Sequence, residues 1–284
     1  TIGGVGSAIG TPANPLAIEF LSEFVGREIS FVEWFAFGLP LVVLFLPLMG
    51  GYLWWRLDAS VEAGRFAAAR AIAQAQLAEA GRPGRDQLAV LAVFIGVMAV
   101  WLTQTWHGTN TGIVALGGAV ALALLRYVRQ EDLARISWPS LITFGGGLAL
   151  GVALVESGTA DWVAAGLGGL AEVPAFVAVL AVALLALGLT TVASNTASAA
   201  MLVPMAIPLA GVLGLDPVLL VATVAVASSI DFALVIGTPP TMIAYSTQLF
   251  TAPQIFRVGA ILDATGVLLL VTAVVAFWRF AGLV

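Results

Sequence analysis

Apolar stretches of about twenty residues recur along the whole chain, separated by short polar segments, and a helix of that length crosses the hydrocarbon core of a bilayer. The first stretch, 2–20, is interrupted by Gly10-Thr11-Pro12-Ala13-Asn14-Pro15, and a polar loop is expected over 19–33. Residues 34–55 read as one span with aromatic residues at both ends, the arrangement of an interfacial belt. Over 56–85 the pattern changes, and Arg65, Arg70, Gln74 and Glu79 are interleaved with Phe66, Ile72 and Leu77. That segment predicts either an amphipathic helix on the membrane surface or a solvated linker helix between two bundles. Pro83-Gly84 ends it. Spans follow at 87–105 and 109–127, then a charged loop at 126–135, a glycine-rich span at 139–155 and a short interfacial helix at 159–170. The long apolar stretch 174–213 is broken only near Ser194-Asn195-Thr196, and 217–249 only at Gly237-Thr238-Pro239-Pro240; the last span is 254–280. Transmembrane strands would alternate over segments of about ten residues, and no such segment is present. The expected fold is all-α, a polytopic membrane protein with broken transmembrane helices.

Composition agrees. Of 284 residues, 61% are hydrophobic and 10% charged, against about 25% charged in a soluble domain. The net charge of -5 carries little information when most of the surface faces lipid. There is no cysteine, so disulfides and thiolate metal sites are excluded. The single histidine, His107, lies near Trp101 and Trp106; it is placed at the membrane interface, and alone it builds no transition-metal site. An enzyme needs a nucleophile–base set or a metal cluster, and the chain offers neither, so no catalytic residues, no organic cofactor and no nucleic-acid partner are expected. Residues 1–10 are small, glycine-rich and uncharged, without the basic region or cleavage site of a signal peptide. They read as the middle of a longer chain that begins upstream.

Orientation rests on arginine, because lysine is absent. With 34–55 running inward, nine of the eleven arginines are cytoplasmic and only Arg27 and Arg279 lie outside, a strong positive-inside asymmetry. Under that orientation two broken segments correspond. Ile9-Gly10-Thr11-Pro12-Ala13-Asn14 parallels Ile236-Gly237-Thr238-Pro239-Pro240-Thr241, and each is followed by a polar turn and a span with an early glycine, Gly38 or Gly259. The two copies run in opposite directions. One Pro–Gly break in a span is ordinarily structural, whereas matching breaks in inverted repeats point to a secondary transporter and its binding site.

The breaks carry chemistry. Backbone groups freed in a bilayer core cost several kcal/mol unless something satisfies them. Freed carbonyls coordinate cations, and half-helix N-termini face anions. Ser194-Asn195-Thr196 adds hydroxyl and amide groups, whose oxygens suit a hard cation and whose protons suit a carboxylate; the alternative is a tight turn whose polar groups cap helices. No arginine is a site candidate, so an anionic substrate depends on helix ends, hydroxyls, amides and co-bound cations. Asp231, six residues before Gly237, is the one acid deep in a span. Such acids are functional candidates: it carries a proton, binds a cation, or is satisfied by the hydroxyls of Ser228 or Ser229. Asp263 reads as structural.

The run Ser194-Asn195-Thr196-Ala197-Ser198-Ala199-Ala200-Met201-Leu202-Val203-Pro204 resembles the SNT signature of the divalent anion/sodium symporter family, the sodium-coupled dicarboxylate, citrate and sulfate carriers. Ile142-Thr143-Phe144-Gly145-Gly146-Gly147-Leu148-Ala149-Leu150 and Gly237-Thr238-Pro239-Pro240 resemble it too. The resemblance implies two inverted halves, each with a re-entrant hairpin tipped by SNT and a helix broken at a TPP-like loop. Residues 1–57 then end the first repeat, 58–86 form a cytoplasmic surface helix or linker, and 87–284 form the second repeat. Within the second repeat come scaffold spans over 87–128, a span at 139–155, the hairpin 174–213, the broken helix 217–249 and the last span 254–280. The first hairpin precedes Thr1. By position, Asn195, Thr196, Thr238 and Pro239 contact substrate, with Thr11 and Pro12 as counterparts in the first half. Thr190, Ala193, Ser194, Asn195 and Gly237 hold a sodium ion, with Gly10 as the first-half counterpart. Thr241 and Ala13 depart from the family's TPPN pattern, and Asp231 stands where many relatives carry an uncharged residue. The implied activity is secondary active transport of small divalent or trivalent anions such as succinate, malate, citrate or sulfate. The coupling ion is sodium and the movement elevator-like, in a homodimer of a prokaryotic inner membrane. Sodium-independent exchange, proton coupling through Asp231, and a structural membrane subunit are the alternatives.

Overall fold

The computed structural model describes residues 2–56, 70–71, 74–79, 81, 83–246 and 250–284. Its regular elements are all helical, and five helices are long and apolar enough to cross a membrane: Phe31–Arg56, Arg85–Leu102, Ala175–Val192, Asn195–Leu213 and Ala252–Phe280. The chain divides into two compact units, Thr1–Leu46 with Ser137–Val284, and Pro47–Ile136.

In the larger unit, α1 (Ile2–Val5) and α2 (Ala13–Phe20) are the two sides of a break, and α2 continues through a π-turn at Leu21–Val25. The polar loop expected from residue 19 therefore begins only at Gly26. Phe20 and Leu21 are buried, which holds the helix together past Glu19, and the positive φ of Gly26 (69°) ends it. Next comes α3 (Phe31–Arg56), which belongs to this unit as far as Leu46; its Trp34, Phe37, Leu41 and Phe45 form one buried stripe.

The smaller unit holds α4 (Arg85–Leu102), α5 (Gln104–His107), α6 (Thr111–Leu124) and α7 (Gln130–Leu133). The Trp101 indole donates to the Thr111 carbonyl at 3.0 Å and His107 Nε2 lies 2.9 Å from the Val100 carbonyl, so both rings fasten the turn between α4 and α6. Leu88, Leu91, Phe94, Ile95, Ile113 and Leu116 are exposed, as lipid-facing residues are. Of the expected surface helix, Arg70 and Gln74–Glu79 are helical and exposed, while Arg65, Phe66 and Ile72 lie outside the described residues.

The larger unit resumes with α8 (Trp138–Glu156), which bends by 73° into α9 (Thr159–Gly166). The glycines of α8 are not equivalent. A Cβ on Gly147 would stand 2.5 Å from Ala200 Cβ, and one on Gly151 2.3 Å from the Phe20 ring, whereas Gly145 and Gly146 face open space. Gly147 and Gly151 thus let α8 lie directly on its neighbours. Helices α10 (Ala175–Val192) and α11 (Asn195–Leu213) are the arms of a hairpin. Ala193 and Ser194 are extended, and the Ser194 hydroxyl accepts the Ala197 N–H at 3.1 Å as an N-cap. Helix α12 (Pro217–Ala227) is buried at every position from Val218 to Ala227; a helix apolar on all sides belongs at the centre of its unit. After an unwound segment come α13 (Pro239–Ser246) and the last span, α14 (Ala252–Leu269), a π-turn at Leu270–Val274 and α15 (Val275–Phe280). Residues 247–249 of the expected broken helix lie outside the described residues. The Trp278 indole, itself buried, donates to the Phe37 carbonyl at 3.1 Å and packs on the Phe37 ring.

Candidate functional site

The two breaks are built the same way. In the first, the chain folds back so tightly that a Cβ on Gly10 would stand 2.1 Å from the Gly4 carbonyl oxygen. The freed carbonyls are gathered by one amide: Asn14 Nδ2 donates to Ser7 at 2.7 Å, Gly4 at 3.1 Å and Val5 at 3.4 Å. The Trp34 indole adds a 3.0 Å bond to the Val5 carbonyl. Gly38 permits that approach, since a Cβ there would lie 2.0 Å from the same oxygen. The Thr11 hydroxyl donates to Asn14 Oδ1 at 3.0 Å.

The second break repeats two of these devices and holds its backbone with different chemistry. A Cβ on Gly259 would lie 2.0 Å from the Phe232 carbonyl oxygen, as Gly38 does on Val5. Thr238 and Thr241 hydroxyls are 2.9 Å apart, as Thr11 and Asn14 are bonded three residues apart. Thr241, a departure from the family pattern, thus takes the place of the asparagine in this contact. The unwound backbone is held by Asp263, whose carboxylate accepts the N–H of Phe232 at 2.8 Å and of Ala233 at 3.0 Å. Gly237 is pressed against the Asp231 carboxylate, and a Cβ there would meet Oδ2 at 2.0 Å. Asp231 therefore lies in the unwound segment and not inside a helix, because Asp263 draws the two residues after it out of the helical ladder. The expected hydroxyl partners are also absent. The Ser229 hydroxyl is engaged elsewhere, and neither Ser228 Oγ nor either Asp231 oxygen has a hydrogen-bond partner.

The hairpin tip and both breaks converge. The Thr190 hydroxyl, buried in α10, lies 2.7 Å from the Ser228 carbonyl and 2.9 Å from Asn195 Oδ1. The Ser229 hydroxyl lies 3.2 Å from both the Ala225 carbonyl and Thr11 Oγ1, so it joins the second break to the first. Among the residues expected at the site, the structure brings together Thr190 with Asn195 and Gly237 with Asp231, and it places Thr11 against Ser229, which was not expected there. Ala193 and Ser194 form the hairpin turn, where the Ser194 hydroxyl caps α11. Thr196 is half-buried in the first turn of α11, Pro12 begins α2 on the exposed side, Gly10 is exposed and Thr238 is buried, while the Pro239 side chain lies outside what the structure describes. Asn14, Ser229, Thr241 and Asp263 were not among the expected site residues. Their signal in the sequence is a polar side chain one to nine residues from a break or across from it in the next span, which is too common to single out.

Asn14→Leu removes the donor that gathers three carbonyls of the first break. The expected loss is about 2–4 kcal/mol of stability, read as a lower melting temperature in detergent. A melting curve like that of the wild type would mean that the break is held by other groups.

The donor set is all oxygen: hydroxyl, carboxamide and main-chain carbonyl. Such hard ligands fit an alkali cation, and among the described residues there is no cluster of His, Cys, Asp and Glu for a transition metal. The comparison with known proteins agrees with this chemistry. A profile described as the sodium:sulfate symporter transmembrane region matches residues 1–284. The chain belongs to the sodium:sulfate symporter family. The resemblance carried by the SNT run is thereby confirmed. The sodium-dependent dicarboxylate transporter SdcS of Staphylococcus saprophyticus is 32% identical over 297 residues, covering 96% of this chain and 56% of that protein. SdcS of Staphylococcus aureus strain NCTC 8325 is 31% identical over 282 residues, covering 91% of this chain and 53% of that protein. The chain spans about half the length of these relatives. Within the sodium:sulfate symporter family frame, the hairpin 174–213 and both breaks fall inside the matched region.

Proposed function

We propose that the protein is a secondary active transporter of small divalent or trivalent anions, dicarboxylates foremost, coupled to sodium. The observation that carries the proposal is the meeting of two similarly built helix breaks with a polar hairpin tip, joined through Thr11–Ser229 and Thr190–Ser228. A broken helix at membrane depth survives where it lines a site, and here two of them share one. In this reading residues 1–57 close the first repeat and 87–284 form the second. Asn195, Thr196, Thr238, Pro239, Thr11 and Pro12 face the substrate carboxylates. Thr190, Ala193, Ser194, Asn195 and Gly237 surround the sodium ion, with Gly10 in the corresponding first-half position. Sodium supplies positive charge that offsets the substrate's. The chain's own contribution is to hold neutral oxygens in place, with Thr190 orienting the Asn195 carboxamide. SdcS is named as sodium-dependent and dicarboxylate-transporting, which supports the same substrate class and coupling ion here. The elevator movement, the homodimer and a prokaryotic plasma membrane follow from family resemblance.

The test is succinate uptake into proteoliposomes by the protein expressed from its full reading frame. An inward sodium gradient is expected to raise initial uptake at least about tenfold over a choline control, a difference of about 1.4 kcal/mol. Equal uptake in both would overturn sodium coupling, and no uptake of any dicarboxylate would overturn the substrate class.

A further inference from the structure

The most unusual group in the larger unit is the Asp231 carboxylate. The residue is fully buried and neither oxygen has a hydrogen-bond partner. A charged carboxylate in that position is costly unless a counter-charge or donors reach it. Its neighbour Asp263 differs, since two backbone N–H groups compensate it. No arginine supplies the counter-charge: among the described residues the ion pairs are Arg27–Glu33 and Arg135–Asp132, on other segments. The uncompensated charge therefore asks for a mobile cation.

Its position says which one. The carboxylate touches Gly237, where any side chain would collide with it. Three residues upstream, the Ser228 carbonyl accepts the hydroxyl of Thr190, which also bonds Asn195. The segment from Ser228 to Gly237 thus runs from the hairpin tip to the turn. In the first break the matching neighbour of Gly10 is Gly4, which has no charge.

We propose that Asp231 supplies an anionic ligand to the cation site at the second helix break, so that a sodium ion there is held by a carboxylate as well as by neutral oxygens. The inference rests on the functional reading above and deepens it. It makes the two breaks unequal: the second binds sodium more tightly than the neutral first.

The test is equilibrium binding of radioactive sodium to the full-length protein in detergent. Wild type is expected to show sodium sites of two affinities. Asp231→Asn is expected to weaken the tighter one at least about tenfold, or about 1.4 kcal/mol, and to spare the weaker. Infrared difference spectra of the wild type give a second readout that needs no folded variant: adding sodium shifts a carboxylate stretching band. Unchanged sodium affinity in Asp231→Asn overturns the inference. So does a wild-type band that ignores sodium, or that responds only to pH, which would assign a proton to Asp231. If the wild type neither binds sodium nor accumulates succinate, the functional reading itself falls. If it does both while Asp231→Asn binds sodium normally, only this inference falls.

Discussion

Gly259→Ala is expected to leave little folded protein in the membrane. The added methyl group would sit 2.0 Å from the Phe232 carbonyl oxygen, 2.3 Å from its carbon and 2.6 Å from Ala233 Cα. All three are backbone atoms, so no rotamer change relieves the collision, and the last span must separate from the unwound segment. Overpacking a core costs about 1–3 kcal/mol where side chains can shift, and backbone contacts give less. The separation also pulls Asp263, one helical turn away, off the N–H groups of Phe232 and Ala233. Fluorescence-detected size-exclusion profiles of membrane extracts will show whether the folded peak is lost. Gly38→Ala is expected to behave alike, with its Cβ 2.0 Å from the Val5 carbonyl oxygen. Gly96→Ala, with nothing within 4 Å of the new atom, is the neutral control. A folded peak of normal height for Gly259→Ala would refute the close contact.

Asp263→Ala is the second substitution with a large expected effect. It leaves two N–H groups of the second break without acceptors, that of Ala233 buried and that of Phe232 partly so. Hydrogen bonds to a charged acceptor contribute about 1.5–3 kcal/mol each, so a loss of about 3–5 kcal/mol is expected, read as a fall in melting temperature in detergent. Asp263→Asn keeps one acceptor oxygen and turns an NH2 group toward the other donor; its loss is expected to be intermediate. If the alanine variant melts like the wild type, Asp263 does not hold the break.

The sequence pattern makes the helices, the hairpin and the two breaks visible, because lipid imposes a simple code of long apolar runs interrupted by Gly, Pro, Ser, Asn and Thr. It also marks Gly38 and Gly259 by their matching places, though not what they touch; the structure shows each lying on an unwound carbonyl. Pattern fails where one side chain settles where backbone groups go. Asn14 gathers three carbonyls, and Asp263 takes two N–H groups from residues 31 and 30 positions earlier. Neither bond leaves a periodic trace. Asp231 reads as a helical residue because its neighbours are apolar, and only Asp263's hold on the next two residues places it in the unwound segment. The loop expected over 19–33 begins late for a related reason: Glu19, Ser22 and Glu23 are polar, but Phe20 and Leu21 between them are buried and keep the helix going.

The bond from Trp278 to the Phe37 carbonyl joins residues 241 positions apart. A ribosome delivers this chain from its N-terminal end, at roughly 5–20 residues per second. Helix α3 is therefore in the bilayer tens of seconds before the tryptophan that packs on its Phe37 exists. Until then Phe37 and its neighbours must be shielded by lipid or by insertion machinery. That contact of assembly waits for α15, which packs against a helix made 241 residues earlier.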